Sequence, residues 1–459
     1  MITFTICLFV LIIGYFVYGR FVEKVFGADD RPTPAITKAD GVDFIPMPAW
    51  KLFMIQFLNI AGLGPIFGAI MGAKFGTASF LWIVLGSIFA GATHDYIAGM
   101  LSLRNSGENL PDIIGRYLGK NAKLIMRIFT IVLMVLVGAV FVAGPAGLIA
   151  NLTPSALNTT FWMIVIFLYY LLATLLPIDK IIGRVYPIFA AALLFMAIGV
   201  LVMLYVNMPV LPEIWDGLEN THPNAEKLPI FPIMFVSIAC GAISGFHATQ
   251  SPLMARCMKK EKYGRPVFYG AMIVEGIVAL VWAAAATYFF QKNGMGESNA
   301  AVIVNDITNS WLGVVGGILA ILGVIAAPIT SGDTALRSAR LIIADFFNIE
   351  QKSIKKRLLI CVPMFACTFL LLLYSLRDAA GFDLIWRYFS WANQTLSVFT
   401  LWAITVFLVR ERKGLYFIIT LIPALFMTAI CASYICVAPE GFGILPDFSL
   451  VIEIGRAHV

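Results

Sequence analysis

Apolar runs long enough to cross a bilayer follow one another along this chain, separated by short polar connections. A hydrocarbon core demands about 20 apolar residues per helical crossing, and lipid admits only helices or closed barrels. Runs of this length are helical, so an all-α, polytopic membrane protein is expected. Twelve spans are expected, over residues 2–18, 50–72, 78–101, 123–143, 159–176, 186–206, 229–247, 267–290, 312–329, 357–374, 384–410 and 415–437. Composition agrees: 13% of the residues are charged, against about 25% in a soluble domain. Residues 2–18 lack a basic leader and a small-residue cleavage site, and read as a retained span. The last six residues, Ile454 to Val459, read I-G-R-A-H-V, the translation of a common sequencing-adapter prefix. They are expected to be non-native, with residues 448–452 the stub of a truncated thirteenth span.

The net charge of +6 reflects topology rather than an affinity for nucleic acid. Of the 32 Lys and Arg residues, all but Lys74, Lys227, Lys292, Arg377, Arg387 and Arg456 fall in the odd-numbered connections. Basic residues mark cytoplasmic loops, so the N-terminus is expected outside. The seven cysteines lie mostly within apolar runs and form no C-x-x-C pair. They suit small core residues rather than a metal site or a disulfide framework. Residues 112–118 suit a short interfacial helix.

The second span cannot run straight. From Asn59 to Gly68 it reads N-I-A-G-L-G-P-I-F-G, three glycines and a proline that weaken or break a helix. Such backbone is tolerated at bilayer depth only where it is buried in protein or lines a cavity. The seventh span repeats the feature, with Gly241, Gly245 and Pro252 beside the polar cluster Ser244, His247, Thr249, Gln250 and Ser251. The two breaks start five spans apart, an odd number, so their helices cross in opposite directions. Interrupted segments at corresponding places in two inverted halves point to a transporter's binding site. Close helix packing by small residues is the rival reading. Half-helix N-termini favour an anionic group such as a carboxylate. Candidate substrate contacts are therefore Gly62, Leu63, Gly64, Gly68, Gly241 and Gly245, with Ser244, His247 and Gln250 supplying side-chain specificity.

A third polar interruption, from Ala326 to Thr334, offers the hydroxyls of Thr330 and Ser331 to a hard monovalent cation. A cytoplasmic helix cap is the alternative. His94 and Asp95 are neighbours in the third span, about 100° apart on a helix, and need not touch. Asp95 is expected either to pair with Arg104 or Arg116 or to relay protons. Glu275, deep in the eighth span, and Asp333 are further proton-coupling candidates, as is His247. Asp333 could equally cap a helix, pair with Arg337 at i+4, or join the cation site. No nucleophile–base pair, H-E-x-x-H helix or Walker loop is present, so neither an enzyme nor an ATP-driven pump is expected.

Four stretches closely resemble the carbon starvation protein A family: I-A-G-L-G-P-I-F-G from Ile60, L-W-I-V-L-G-S-I-F-A-G-A-T-H-D from Leu81, A-C-G-A-I-S-G-F-H from Ala239 and G-D-T-A-L-R from Gly332. The resemblance covers nearly the whole chain. It implies a bacterial inner-membrane transporter for peptides or pyruvate, induced when preferred carbon runs short. Larger members usually carry a His-His pair where this chain has Ile55-Gln56, a departure that weighs against histidine-based proton coupling and pyruvate. The family is similar in turn to the amino acid–polyamine–cation superfamily, which implies a five-plus-five inverted-repeat core. Its repeats would be residues 50–206 and 229–410, flanked by an N-terminal span and loop (1–49) and a C-terminal span with its stub (415–453). Ala61-Gly-Leu-Gly64 resembles the unwound stretch of sodium-coupled amino-acid transporters, and A-x-x-T-S at Ala327–Ser331 resembles their sodium site. This implies cation ligands at the carbonyls of Leu58, Ala61 and Ala327 and the hydroxyls of Thr330 and Ser331.

The expected activity is import of a small carboxylate-bearing nutrient by cation-coupled alternating access, with Na+ or H+ as coupling ion and no further cofactor. A proton symporter using Glu275, Asp95 or His247 and a non-transporting nutrient sensor are the alternatives.

Overall fold

The computed structural model describes residues 1–444 apart from residues 42, 151, 176–177, 296–299, 351–352, 378–380, 412–413 and 439. The expected thirteenth-span stub and the non-native tail lie outside the described residues. Helix follows helix. The first span is α1 (Ile2–Phe26), and the second divides into α2 (Ala49–Ile60) and α3 (Gly64–Ala73), bent by 55°. Then come α4 (Ala78–Arg104), α5 (Leu110–Leu118), α6 (Lys120–Ala150), α7 (Thr159–Leu175) and α8 (Ile178–Asn207). The seventh span comprises helical turns over residues 230–237, a non-helical stretch and α9 (Gly245–Ala255). Beyond it lie α10 (Gly270–Asn293), α11 (Ala300–Ala320), α12 (Ala326–Phe346), α13 (Ile354–Arg377), α14 (Gly381–Glu411) and α15 (Leu415–Val437).

Among the described residues, nine helices are long and apolar enough to cross a membrane, or ten counting the bent pair. With the shorter apolar α7 and the broken segment ending in α9, they account for the twelve spans expected. Burial sorts them into core and rim. The hydrophobic windows of α4 and of the segment Glu261–Asn293 are 83% and 89% buried, whereas those of α1, α13 and α15 are only 33% buried. The last three belong to the rim, as does the outer face of α8, which is also 33% buried over Tyr186–Asn207, and the broken helices lie inside, packed against α4, α8, α10, α12 and α14.

Local chemistry sets the boundaries. Gly119 takes φ 96, which ends α5 and redirects the chain into α6 one residue later. Three expectations need correction. Residues 300–311, placed in a connection, are helical, and Gly313 at φ 58 kinks the helix they begin. The interruption expected from Ala326 to Thr334 is absent: α12 runs continuously to Phe346. The irregularity falls one turn earlier, in the π-helical turn Ile321–Ile325. That wider turn accepts Pro328, whose missing N–H would otherwise face Val324. Pro252 is likewise held inside α9 rather than ending it.

Candidate substrate and cation sites

Both breaks are real and they touch. The helical bonds of α2 end at Ala61, whose N–H donates to Phe57 O at 2.8 Å, and Ala61 turns to ψ 50. Helix resumes at Leu63, whose carbonyl accepts the Phe67 N–H at 2.8 Å. In the seventh span Ile238 leaves the helix at ψ 52, and Ser244 is extended at φ −147, ψ 122, before α9 starts. A Cβ built on Gly64 would lie 2.3 Å from Cys240 Cβ, and one on Gly68 would lie 2.8 Å from Ser237 O. The two broken segments therefore pack directly on one another. The remaining glycines are also close-approach positions. Gly62 faces Phe141, Gly241 faces Ala279, and Gly245 lies on the backbone of α14. Only their main-chain groups could serve a ligand.

The ionisable side chains form a chain of contacts rather than separate pairs. His94 Nδ1 and His247 Nδ1 each stand 2.8 Å from Asp95, one at Oδ1 and one at Oδ2. His94 and Asp95 do touch, because the carboxylate folds back along its own helix. Neither expected arginine pairs with Asp95: Arg104 binds Glu261 and Arg116 binds Glu108. With Asp95 ionised, both histidines donate from Nδ1, which turns the Nε2 lone pair of neutral His247 toward Glu275 Oε2, 3.3 Å away. Two acceptors at that distance repel unless one of them carries a proton. His247 Nε2 and both Glu275 oxygens make no hydrogen bond in this arrangement, which leaves a buried place where a proton could be taken up. All four residues are fully buried and bring together α4, α9 and α10.

A second cluster lies where α12 meets the end of α2. Ser331 Oγ is 3.0 Å from Leu58 O and 2.9 Å from Ala327 O, and Thr330 Oγ1 is 2.8 Å from Ala327 O. Gly62, next to Ala61, comes within the same reach: a Cβ there would lie 3.4 Å from Ser331 Oγ. These are neutral carbonyl and hydroxyl oxygens, the donor set of a hard monovalent cation. Among the described residues, no group of three or more His, Cys, Asp or Glu side chains is placed to hold a metal ion. Asp333 does not turn toward this cluster. Its Oδ2 is 3.2 Å from Tyr186 Oη on α8, and its Oδ1 is 3.9 Å from Arg337. Tyr186 reaches back to Thr330 O at 3.0 Å.

Residues absent from the sequence-based site complete it. Gln56 and Asn59 lie in the last turns of α2 on the side away from exposed Trp50; both are fully buried, and their amide atoms have no protein partner. A buried amide left unpaired costs about 1–3 kcal/mol, so these are natural ligand contacts. Their i,i+3 spacing just before the glycines was the available signal. Gln250 Nε2 binds Thr249 Oγ1 at 2.9 Å while its Oε1 has no protein partner. Asn393, from α14, reaches Ser244, Phe246 and Cys240 across the second break.

Comparison with known proteins places this arrangement. A family model described as "Carbon starvation protein CstA" matches residues 1–156, 146–316 and 293–433. The chain belongs to the CstA family. The peptide transporter CstA of Bacillus subtilis is 29% identical, over 93% of this chain and 88% of that protein. The pyruvate/proton symporter BtsT of Escherichia coli K12 is 28% identical, over 61% of this chain and 48% of its own. A Haemophilus influenzae membrane protein is 43% identical, over 64% of this chain and 92% of that one. Among solved structures, MhsT in complex with L-phenylalanine superposes with a TM-score of 0.61 at 14% identity, covering 84% of this chain and 98% of that one. A manganese transporter from Eremococcus coleocola gives 0.55 at 14% identity, over 91% and 95%. This CstA-family chain thus has the fold of membrane transporters and spans the membrane several times.

Proposed function

We propose that this CstA-family protein imports a small carboxylate-bearing nutrient, such as a peptide, an amino acid or pyruvate, across the bacterial inner membrane by cation-coupled alternating access. The observation that carries the reading is the meeting of Leu58 O, Ala327 O, Thr330 Oγ1 and Ser331 Oγ directly beside the contact of the two broken helices. Cation and substrate would then be bound at one junction, so filling one favours closure around the other. Leu58, Ala61, Ala327, Thr330 and Ser331 would hold Na+, which supplies a positive charge beside the substrate anion. Main-chain amides at Leu63 and Gly64 would receive the carboxylate, with Gln56, Asn59 and Gln250 orienting the rest. The repeats would be residues 50–206 and 229–410, with the basic connections in the cytoplasm and the N-terminus outside.

A second reading, proton coupling, is favoured by the buried His247 and Glu275, which face each other at 3.3 Å without a hydrogen bond. Uptake of labelled pyruvate, L-alanine and glycylglycine into proteoliposomes, with Na+ and H+ gradients imposed separately, separates the two. Sodium-driven uptake supports the first and pH-driven uptake the second. Accumulation with neither gradient argues against coupling, and binding without flux would make the protein a sensor.

A further inference from the structure

α9 begins without a cap from its own segment. Ser244, at the N-cap position, makes no side-chain bond to the first turn. Its hydroxyl donates instead to Asn393 Oδ1 at 3.0 Å. The same oxygen accepts the Phe246 N–H at 2.7 Å, and Asn393 Nδ2 reaches Cys240 Sγ at 3.5 Å. The amide orientation follows from its partners, because a backbone N–H can only donate. Asn393, Ser244, Phe246 and Cys240 are all buried. The backbone of α14 comes equally close: a Cβ on Gly245 would lie 2.4 Å from Ser397 N and 2.5 Å from Asn393 O. An uncharged side chain from a different helix thus holds the end of α9 where an anion would be most favoured.

On the import reading above, we propose that Asn393 is a specificity-determining residue that restricts the site to substrates carrying a single carboxylate. Two half-helix N-termini converge at this junction, that of α3 at Leu63–Gly64 and that of α9 at Gly245–Phe246, and each favours one anionic group. Asn393 gives the second of them a neutral oxygen, placed as a carboxylate oxygen would be but without its charge. The end of α3 is left for the substrate, and the last two turns of α2 before it carry the buried and unpartnered amides of Gln56 and Asn59. A dicarboxylate would have to displace Asn393 and strand its amide, and with it Ser244 and Cys240, in a buried place. That penalty falls on the wrong ligand alone, which is how a site discriminates.

The test is binding of pyruvate and of malonate to the purified transporter, by calorimetry and by ligand-induced thermal shift. The wild type should bind pyruvate at least tenfold more tightly than malonate. Asn393→Ala and Asn393→Ser should shrink that ratio at least fivefold, chiefly by tightening malonate. A purely structural role for Asn393 would weaken both ligands together and leave the ratio alone. The isosteric Asn393→Asp fixes an internal anion at the same place and should weaken pyruvate at least tenfold. It decides the matter even if the smaller variants fail to fold. An unchanged ratio in the Ala and Ser variants, or wild-type pyruvate binding in Asn393→Asp, overturns the inference while leaving the import reading intact. A wild type that binds neither pyruvate, L-alanine nor glycylglycine removes the import reading and this inference with it.

Discussion

Ser331 Oγ stands 3.0 Å from the carbonyl oxygen of Leu58, across 273 positions of sequence. The same hydroxyl is 2.9 Å from Ala327 O, and its single proton can serve only one of the two carbonyls. A cation at this point would satisfy both. Ser331→Ala removes one ligand, worth about 1–2 kcal/mol, or roughly 5- to 30-fold in cation affinity. We expect the half-saturating Na+ concentration for uptake to rise by that factor, and further in the Thr330→Ala/Ser331→Ala pair. Full sodium dependence in the pair would remove the cation cage.

Glu275→Gln replaces the acid facing His247 by a neutral group of the same shape. If that pair carries the coupling proton, uptake driven by a pH gradient should fall at least tenfold while substrate exchange without a gradient persists. Counterflow against pH-jump uptake in the same vesicles is the measurement. Equal loss of both would make Glu275 a structural residue. Asp95→Asn leaves an amide oxygen that can accept from only one of the two imidazoles, and should destabilise the fold by about 1–3 kcal/mol, read from the denaturation midpoint.

Gly64 is held by volume, not by backbone conformation. Gly64→Ala drives a methyl into Cys240 and should cost about 1–3 kcal/mol. Cys240→Gly should recover at least half of that loss, read as coupling in a double-mutant cycle of denaturation midpoints. Independent, additive effects would mean that the breaks are not in contact.

His222, in the connection between α8 and the seventh span, packs tilted against Phe75 at 4.9 Å between ring centres and accepts the Asn224 N–H at Nδ1. Partial burial, then the nearby Lys74 charge, hold its pKa below the ordinary value of 6.5. The folded state therefore binds fewer protons than the unfolded one. This contribution is full above the unfolded pKa and is lost as the pH falls through the lowered folded value. Melting temperature should decline between pH 7 and 5, and His222→Gln should flatten that decline. A variant with the wild-type slope would assign the effect elsewhere.

Much of this was legible in the residues. Span number followed from apolar length, and both breaks from Gly and Pro, because these act through local backbone chemistry. The π turn before Ala326 was not legible, since wider turns have no composition of their own. Nor was the contact of Asp95 with His247, which pairs side chains 152 positions apart. Asn393 and Asn59 read as ordinary polar residues in apolar helices. Only the three-dimensional arrangement reveals that one caps a foreign helix and the other lacks any protein partner.

Asp95 rivets α4 to α9 through a buried imidazole, and pulling those helices apart would leave its charge with His94 as sole partner. The two helices are therefore expected to move together in a transport cycle. Cheap pivots lie at Ala61–Gly62 and between Ile238 and Ser244, where the ladder of main-chain bonds is already open. The rocking axis of the machine is thus written into the two places where its helices come undone.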